Sequence, residues 1–568
     1  MTVIIFWSHI FSLRCFSFRR TSAAWSLNMK FVSALLALIV LASAGFSQTS
    51  AEPAQMSPDK WRADLKHLAT QIERTHKNAY HTVTRDDLLN AVNSLDARLA
   101  DLEDHQVVVE IMKIVAMIGD GHTGVRWGMI AQSGMFPVIF YVYEDGVFVQ
   151  KAAQEYSKIV GGKVVKVGNI PINDVIEKMK PYMWRDNEMG VKSAVPWYLA
   201  SPKILHAVGL SAAKDSAEFT ILKDGLESKI EFKPTGKLDE IMNPPAAWLD
   251  ARSSNVPVPV WQKEPRNNFR FEMLHDSRTF YIQFNQVQDK PDETVEAFFK
   301  RALDAAEKSP AERLVLDIRL NGGGNNYLNL PIIIGVIRSR LNVRGRFFVI
   351  IGRETFSAAQ NTVNDLEKYT NAIFVGEPTG ASPNHYGDAR PIILPNSKLR
   401  IQASTLWWQD KDPRDTRKWT APTVAADLSS DDYRNGRDPA LEAILKFKPV
   451  PSMQEIIAKA RSGGSVADLI ANYKEFRSNP LHKYVDTATI MNRVGQFLLN
   501  ERRPDEALTI FKVNAEDNPG SAIVYQSLGD AYDIKGDKVN ALANYKKAVS
   551  IDPKLTASAE AIKRLSSQ

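Results

Sequence analysis

Cysteine is all but missing from this chain. Of 568 residues only Cys15 carries a thiol, so neither a disulfide framework nor a thiolate metal site can be built from it. A strong charge of one sign is missing too. The formal net charge is +6, but Arg14, Arg19, Arg20 and Lys30 lie in an acid-free N-terminal stretch, leaving 6 − 4 = +2. That near-neutral balance argues against a nucleic-acid partner. The triplet Gly322-Gly323-Gly324 lacks the Lys-Ser/Thr ending of a phosphate loop, and neither a dinucleotide fingerprint nor a metal-ligand spacing is present. The reading therefore implies no cofactor. Long apolar runs are scarce as well. The run at 31–41 is shorter than the ~20 residues a membrane span needs.

What that run has instead is the form of an export signal. Met29-Lys30 gives a basic start, and Ala42-Ser43-Ala44 follows as a small-residue cleavage site. Residues 1–44 read as a leader whose true start is Met29, with 1–28 an upstream extension. The mature protein, which would hold no cysteine, is expected to be exported to the periplasm or secreted. An uncleaved membrane anchor is the alternative.

The most informative stretch is 314–357. Leu314-Val315-Leu316-Asp317-Ile318 breaks into Asn321-Gly322-Gly323-Gly324-Asn325, and Phe347-Phe348-Val349-Ile350-Ile351 breaks at Gly352 and leads to Ser357. Apolar runs rich in β-branched and aromatic residues and closed by glycines read as buried strands, while Ala358, Ala359, Val363 and Leu366 have helical spacing. The pattern predicts two neighbouring strands ending at one edge. There, glycine backbone can approach a ligand without a Cβ in the way, and a helix start offers unpaired N–H groups. Those are the components of an oxyanion hole. The plainer reading is a flexible glycine turn followed by a serine N-cap.

At these residues, with Val375-Gly376-Glu377-Pro378-Thr379-Gly380, the chain resembles the tail-specific (C-terminal processing) protease family over about 57–445. Tricorn protease and the photoreceptor retinoid-binding protein form one branch of that family. The resemblance implies a Clp/crotonase-like α/β core with Ser357 as nucleophile and the N–H groups of Gly323 and Ala358 as oxyanion donors. Bacterial members use a Ser–Lys pair, with the Lys shortly after the G-E-x-T segment. This chain offers none there, and Lys368 falls well short of the place. The tricorn-like branch draws a His from a D-G-H-T context, which here is His122 in Asp120-Gly121-His122-Thr123-Gly124. His76, His81 and His385 are weaker candidates for the base, His385 as a residue lining the site. For the orienting acid the resemblance points to Asp415, with Asp412 and Asp388 as alternatives. Asp438 reads as the cap of the last core helix.

The whole chain then reads as a multidomain α/β protein. A helical bundle is expected over 53–130, opened by Ser57-Pro58 and continued by a Thr84/Asp87 capping pair. Residues 131–235 read as strands, with a hairpin around Glu144-Asp145-Gly146, and resemble a PDZ-like module that binds extended peptides by strand addition. An insertion at 184–210 puts that binding in question. The proline-rich stretch 236–270 reads as a linker, 271–446 as the protease core and 447–486 as a helical linker. In 487–568 the pairs Gly495/Gly529, Ala507/Ala541, Phe511/Tyr545 and Pro519/Pro553 recur at 34 residues, the tetratricopeptide period. Two repeats are expected there, serving either as a docking surface for a protein partner or as a stabilising appendage. The function that follows is an exported serine peptidase with a polypeptide substrate. The alternative is a catalytically inactive binding protein for a peptide or apolar ligand on the same scaffold.

Overall fold

Four apolar runs too continuous to lie on a half-exposed sheet make the centre of the molecule. Thr279–Phe284, Arg313–Asp317, Phe347–Ile351 and Ile373–Gly376 are parallel neighbours, and they are buried almost throughout. Strands buried on both faces need no alternation of apolar and polar residues. Val424–Ala425 extends the sheet in parallel at one edge, and Phe269–Leu274 closes the other edge antiparallel, giving six strands. Helices Val295–Lys308, Leu330–Arg338 and Ala358–Tyr369 cover one face through Phe298, Ala302, Ile332, Val336, Val363 and Leu366. Helix Pro439–Leu445 packs Ala440 and Ile444 on the other.

In this computed structural model the described residues are 55–125, 134–410, 412–449, 451–462 and 464–567. The leader expected at 1–44 lies outside them. From Met56 on, the chain packs as one compact unit. Among the described residues no helix is long and apolar enough to cross a membrane.

Helices Pro58–Thr75, Arg85–Asp96 and Asp104–Ala116 bury Trp61, Leu65, Leu88, Val92, Val107 and Ile111 in a common core. Thr84 accepts the Asp87 N–H as the capping pair requires, whereas Ser57 makes no side-chain cap and Pro58 alone opens its helix. A seven-stranded antiparallel sheet follows, led by the hairpin Val138–Tyr143 and Gly146–Ala152. Helix Glu188–Leu199, from the insertion, packs on Val138–Tyr143.

Residues 236–270 are more than a linker. Leu249–Asp250 pairs with Lys151 and Ala152. Trp261 is buried beneath Arg319 and its carbonyl accepts from Gln283 Nε2 at 2.7 Å. The stretch carries a short α-helix, Leu238–Met242, and a 3₁₀ turn, Val260–Gln262, and its prolines mask how far it packs on both sheets.

The C-terminal helices Thr487–Asn500, Pro504–Asp517, Ala522–Ile534, Lys538–Ile551 and Thr556–Ser566 pack each on the next. The 34-residue offset repeats a contact: Gly495 lies against the Phe511 ring and Gly529 against the Tyr545 ring. The helices are fastened to the central sheet. His482 Nδ1 donates to the Thr423 carbonyl at 2.9 Å, and buried Asp427 takes Lys483 at 2.9 Å and the Tyr484 hydroxyl.

Candidate active site

The parallel strands end together, as their register requires: Asp317 lies beside Ile350, and Ile351 beside Gly376. Ligands of open α/β sheets gather at this carboxyl edge. Thr355 fixes the turn after Ile351. Its hydroxyl donates to the Ile318 carbonyl at 2.9 Å and accepts the Gly352 N–H at 3.0 Å. Phe356 N–H then donates to the Asn321 carbonyl at 3.0 Å, stitching this turn to the glycine loop.

Ser357 follows, half-buried, with φ 55° and ψ −125°. For a residue with a Cβ such a conformation costs about 1–3 kcal/mol and is held only by what surrounds it. Ser357 makes no side-chain capping bond to its helix, so the plain N-cap reading fails and the hydroxyl is not consumed there. The Ala358 N–H, first of the helix, has no hydrogen-bond partner among the described residues.

Gly323 is the counterpart across the cleft. Its φ is +99°, and a Cβ on it would fall 2.6 Å from Ser357 Cβ and 2.9 Å from Ala358 N. No other residue type fits. Its own N–H, expected as an oxyanion donor, is turned to Asn321 Oδ1 at 2.9 Å. Asn321 is fully buried and its Nδ2 donates to the Phe284 carbonyl.

His122 arrives from the helical region on the turn after Asp104–Ala116. Its ring stacks on Phe356, centroids 4.4 Å apart, and also on His385 at 5.7 Å. Both ring nitrogens are buried without a partner at full hydrogen-bond geometry, the Tyr386 backbone alone drawing weakly on the ring. Hence the expected base lies beside the residue preceding the expected nucleophile, and no hydrogen bond joins it to Ser357. Burial first, then the neighbouring His385, push the imidazole down to about 3 against the pull of Asp120, so it is neutral near pH 7. Burial likewise brings His385 to about 4, its Nδ1 lying 3.0 Å from the Ser382 carbonyl.

Asp120 organises the histidine turn. Its Oδ1 accepts the N–H groups of His122 and Thr123 at 2.9 and 2.8 Å and the Ser404 hydroxyl at 2.8 Å. Its Oδ2 pairs with buried His76 at 2.9 Å. Burial alone would raise this carboxyl, but the His76 contact and the Ser404 and Thr123 hydrogen bonds overcome it and hold it at about 2. On the same turn the Gly121 N–H donates to Asp186 Oδ1 at 2.6 Å. His76 is thus a structural partner of Asp120, and His81 stacks outside it, 4.4 Å from Tyr386.

The remaining candidates lie elsewhere. Asp415 is paired to Arg417 at 2.8 Å, Asp412 to Arg414, and Asp388 accepts from Trp408 Nε1 at 2.6 Å. None of them reaches a His122 nitrogen. Lys368 is held by Asp365 and Asp410. Asp438 caps helix Pro439–Leu445 through the Ala440 and Leu441 N–H groups and forks with Arg319 at 2.9 Å. Away from the cleft Glu103, His105 and His206 come together. The two rings share a 2.8 Å hydrogen bond and Lys214 neutralises the carboxylate at 3.0 Å, so this group is satisfied without an ion.

Three comparisons frame this geometry. No known family profile and no curated protein matches the chain. Solved structures do align with it. Mature CPAF in complex with lactacystin is 13% identical with a TM-score of 0.48, covering 71% of this chain and 98% of its own. The photosystem II D1 C-terminal processing protease is 12% identical with a TM-score of 0.32, covering 68% and 96%. MamA is 22% identical over 22% of this chain and 72% of its own, with a TM-score of 0.16.

Proposed function

We propose that this protein is a serine peptidase of the tail-specific type, working through Ser357 and His122. The observation that carries the reading is a serine hydroxyl left uncapped at a strained helix start, packed against a glycine that could bear no side chain. In this mechanism Ser357 Oγ attacks the peptide carbonyl carbon while His122 takes its proton. The carbonyl oxygen becomes an oxyanion held by the Ala358 N–H, with the Gly323 N–H shared from Asn321. His122 then protonates the leaving amine as the C–N bond breaks, and water repeats the sequence to free the acyl group. A neutral imidazole is the form that can accept the proton. Hydrogen bonds that are open in a free enzyme often close only on substrate. Export by the leader, peptide capture by the antiparallel module and a protein partner at the tetratricopeptide-like helices belong to the same proposal.

The unpartnered His122 nitrogens favour a second reading, a binding protein that holds a peptide or apolar ligand without cleaving it. A fluorophosphonate probe with a panel of unstructured polypeptides separates the two. The peptidase reading expects labelling at Ser357 and hydrolysis, both lost in Ser357→Ala. A protein that binds these polypeptides but is neither labelled nor active overturns it.

A further inference from the structure

His122 comes from the helical region and Ser357 from the central sheet, and no hydrogen bond joins their side chains. Their relative placement therefore rests on whatever touches both. Residues 184–187 of the insertion do so. The Trp184 ring lies on Gly124, where a Cβ would fall 1.6 Å from Trp184 Cε3. Asp186 Oδ1 accepts the Gly121 N–H at 2.6 Å. Gly121 is wedged between that oxygen and Phe356, a Cβ there falling 3.1 Å from Asp186 Oδ1 and 2.8 Å from the Phe356 ring. Asn187 Nδ2 donates to the carbonyls of Thr379 at 3.1 Å and Lys418 at 2.7 Å, on the core side. One short strap thus grips the histidine turn and the core at once.

Asp186 is the unusual member of that strap. Its Oδ2 is buried with no partner at full hydrogen-bond geometry, the Ser382 N–H alone drawing on the carboxyl besides Gly121, and burying a carboxylate so thinly paired is costly. We propose that Asp186 is a positioning residue for His122: it holds the turn through Gly121 and, as a carboxylate, supplies negative charge beside the imidazolium that forms when His122 takes the Ser357 proton. This inference rests on the Ser–His reading above. It answers a gap in that reading, since Asp415 is occupied by Arg417 and no acid is hydrogen-bonded to the ring. An imidazolium in a dry site gains from a nearby anion without direct contact.

The charged and titratable groups around Asp186 are few. Asp120 and His122 belong to the turn, His76 faces Asp120 from the end of its helix, and His385 stacks on His122. Arg185, next in the strap, is turned away to the carbonyls of Lys180 and Met183. Lys418 contributes only its carbonyl to the strap. Burial first, then the Asp120 charge, bring the Asp186 carboxyl up to about 7, so its ionisation falls in the working range.

The test is peptide hydrolysis from pH 5 to 9 by the full-length mature protein, Asp186→Asn and Asp186→Ala, with folding checked by circular dichroism. Wild-type kcat should rise as pH passes about 7. Asp186→Asn keeps an acceptor for Gly121, so it should lose that rise, fall about tenfold below wild type at pH 8 and leave KM unchanged. Asp186→Ala releases the turn and should lose about a hundredfold in kcat at every pH. A rise retained in Asp186→Asn overturns the proposal. A second measurement is independent of turnover: in glycine-¹⁵N-labelled protein the Gly121 amide should shift through about pH 7 in wild type and in Ser357→Ala, and not in Asp186→Asn. If this amide stays unmoved in an active enzyme, Asp186 fails and the Ser–His reading stands. If it titrates in a protein that cleaves nothing, the hold on the turn stands and the Ser–His reading fails, taking the catalytic part of the proposal with it.

Discussion

Around Ser357 the chain is held by main-chain hydrogen bonds and backbone close packing, whereas around His122 it is held by buried side-chain charges. The serine turn depends on Thr355, the Phe356–Asn321 link and a glycine face with no space for a methyl group. The histidine turn depends on Asp120, His76, Ser404 and Asp186. Backbone packing does not titrate and tolerates almost no added volume. A carboxylate network responds to pH, even where glycines of the same turn are packed as tightly. The two halves should therefore fail in different ways, and that difference can be measured.

The largest effect expected comes from removing the proposed reacting groups themselves. Ser357→Ala and His122→Ala should each lower kcat by on the order of a million-fold, with native circular dichroism, and the double variant should be no worse than either. Additive losses would mean that the two residues do not act as one unit. Gly323→Ala comes next and attacks the backbone half alone. Its methyl must displace Ser357 or the Ala358 N–H, so kcat should fall by about a hundred- to a thousand-fold, the scale of losing an oxyanion donor. Its pH profile should keep the wild-type shape.

Breaking the charged half should cost stability as well as rate. Asp120→Asn removes a buried carboxylate that accepts from His122, Thr123 and Ser404 and contacts His76, and weakening hydrogen bonds to such a charge costs on the order of 1.5–3 kcal/mol, read as a fall in urea midpoint. The two carboxyls of this turn also give opposite pH signatures. Asp120 lies low in the folded state, at about 2, so its stabilisation is present above the unfolded carboxyl value of about 4 and is lost as pH falls through the folded one. Asp186 lies high, at about 7. Its protonated form favours folding below the unfolded value of about 4, and that advantage is lost as pH rises toward the folded one. Relative to wild type, Asp186→Asn should therefore gain Tm between pH 4 and 8, while Asp120→Asn should lose least at the acid end.

The same contrast explains how much of the site is legible in the amino-acid sequence. The serine half is local in sequence: strand, glycine loop, strand and helix are each announced by a short run, and the parallel sheet brings them to one edge. The histidine half is not. Gly121 meets Asp186 across 65 positions, Asp120 meets His76 across 44 and Ser404 across 284. No period or motif marks such partners, and Asp186 sits in an insertion that reads only as surplus to a peptide-binding module. The proline-rich stretch 236–270 misleads for a related reason, because Trp261 and Leu249–Asp250 find their places only against distant elements. Asp120 alone leaves a trace, an Asp two residues before His122 whose side chain can take that residue's N–H.

The smallest predicted effect sharpens the comparison from outside it. Asp415 is the acid that the family resemblance suggests, yet its carboxylate forks onto Arg417, which in turn reaches Glu367 at 2.9 Å on the serine helix. Hydrogen bonds from Arg417 hold Asp415 below the usual carboxylate range despite its burial. A partly exposed pair of this kind contributes about 1 kcal/mol or less. Asp415→Asn should thus change kcat by less than about threefold, because its charge is already compensated by Arg417 and it does not reach a His122 nitrogen. A loss of about a hundredfold in kcat, the scale set for Asp186→Ala, with Tm unchanged, would move the orienting acid to Asp415 and require the loop at 412–417 to close over His122 when substrate binds.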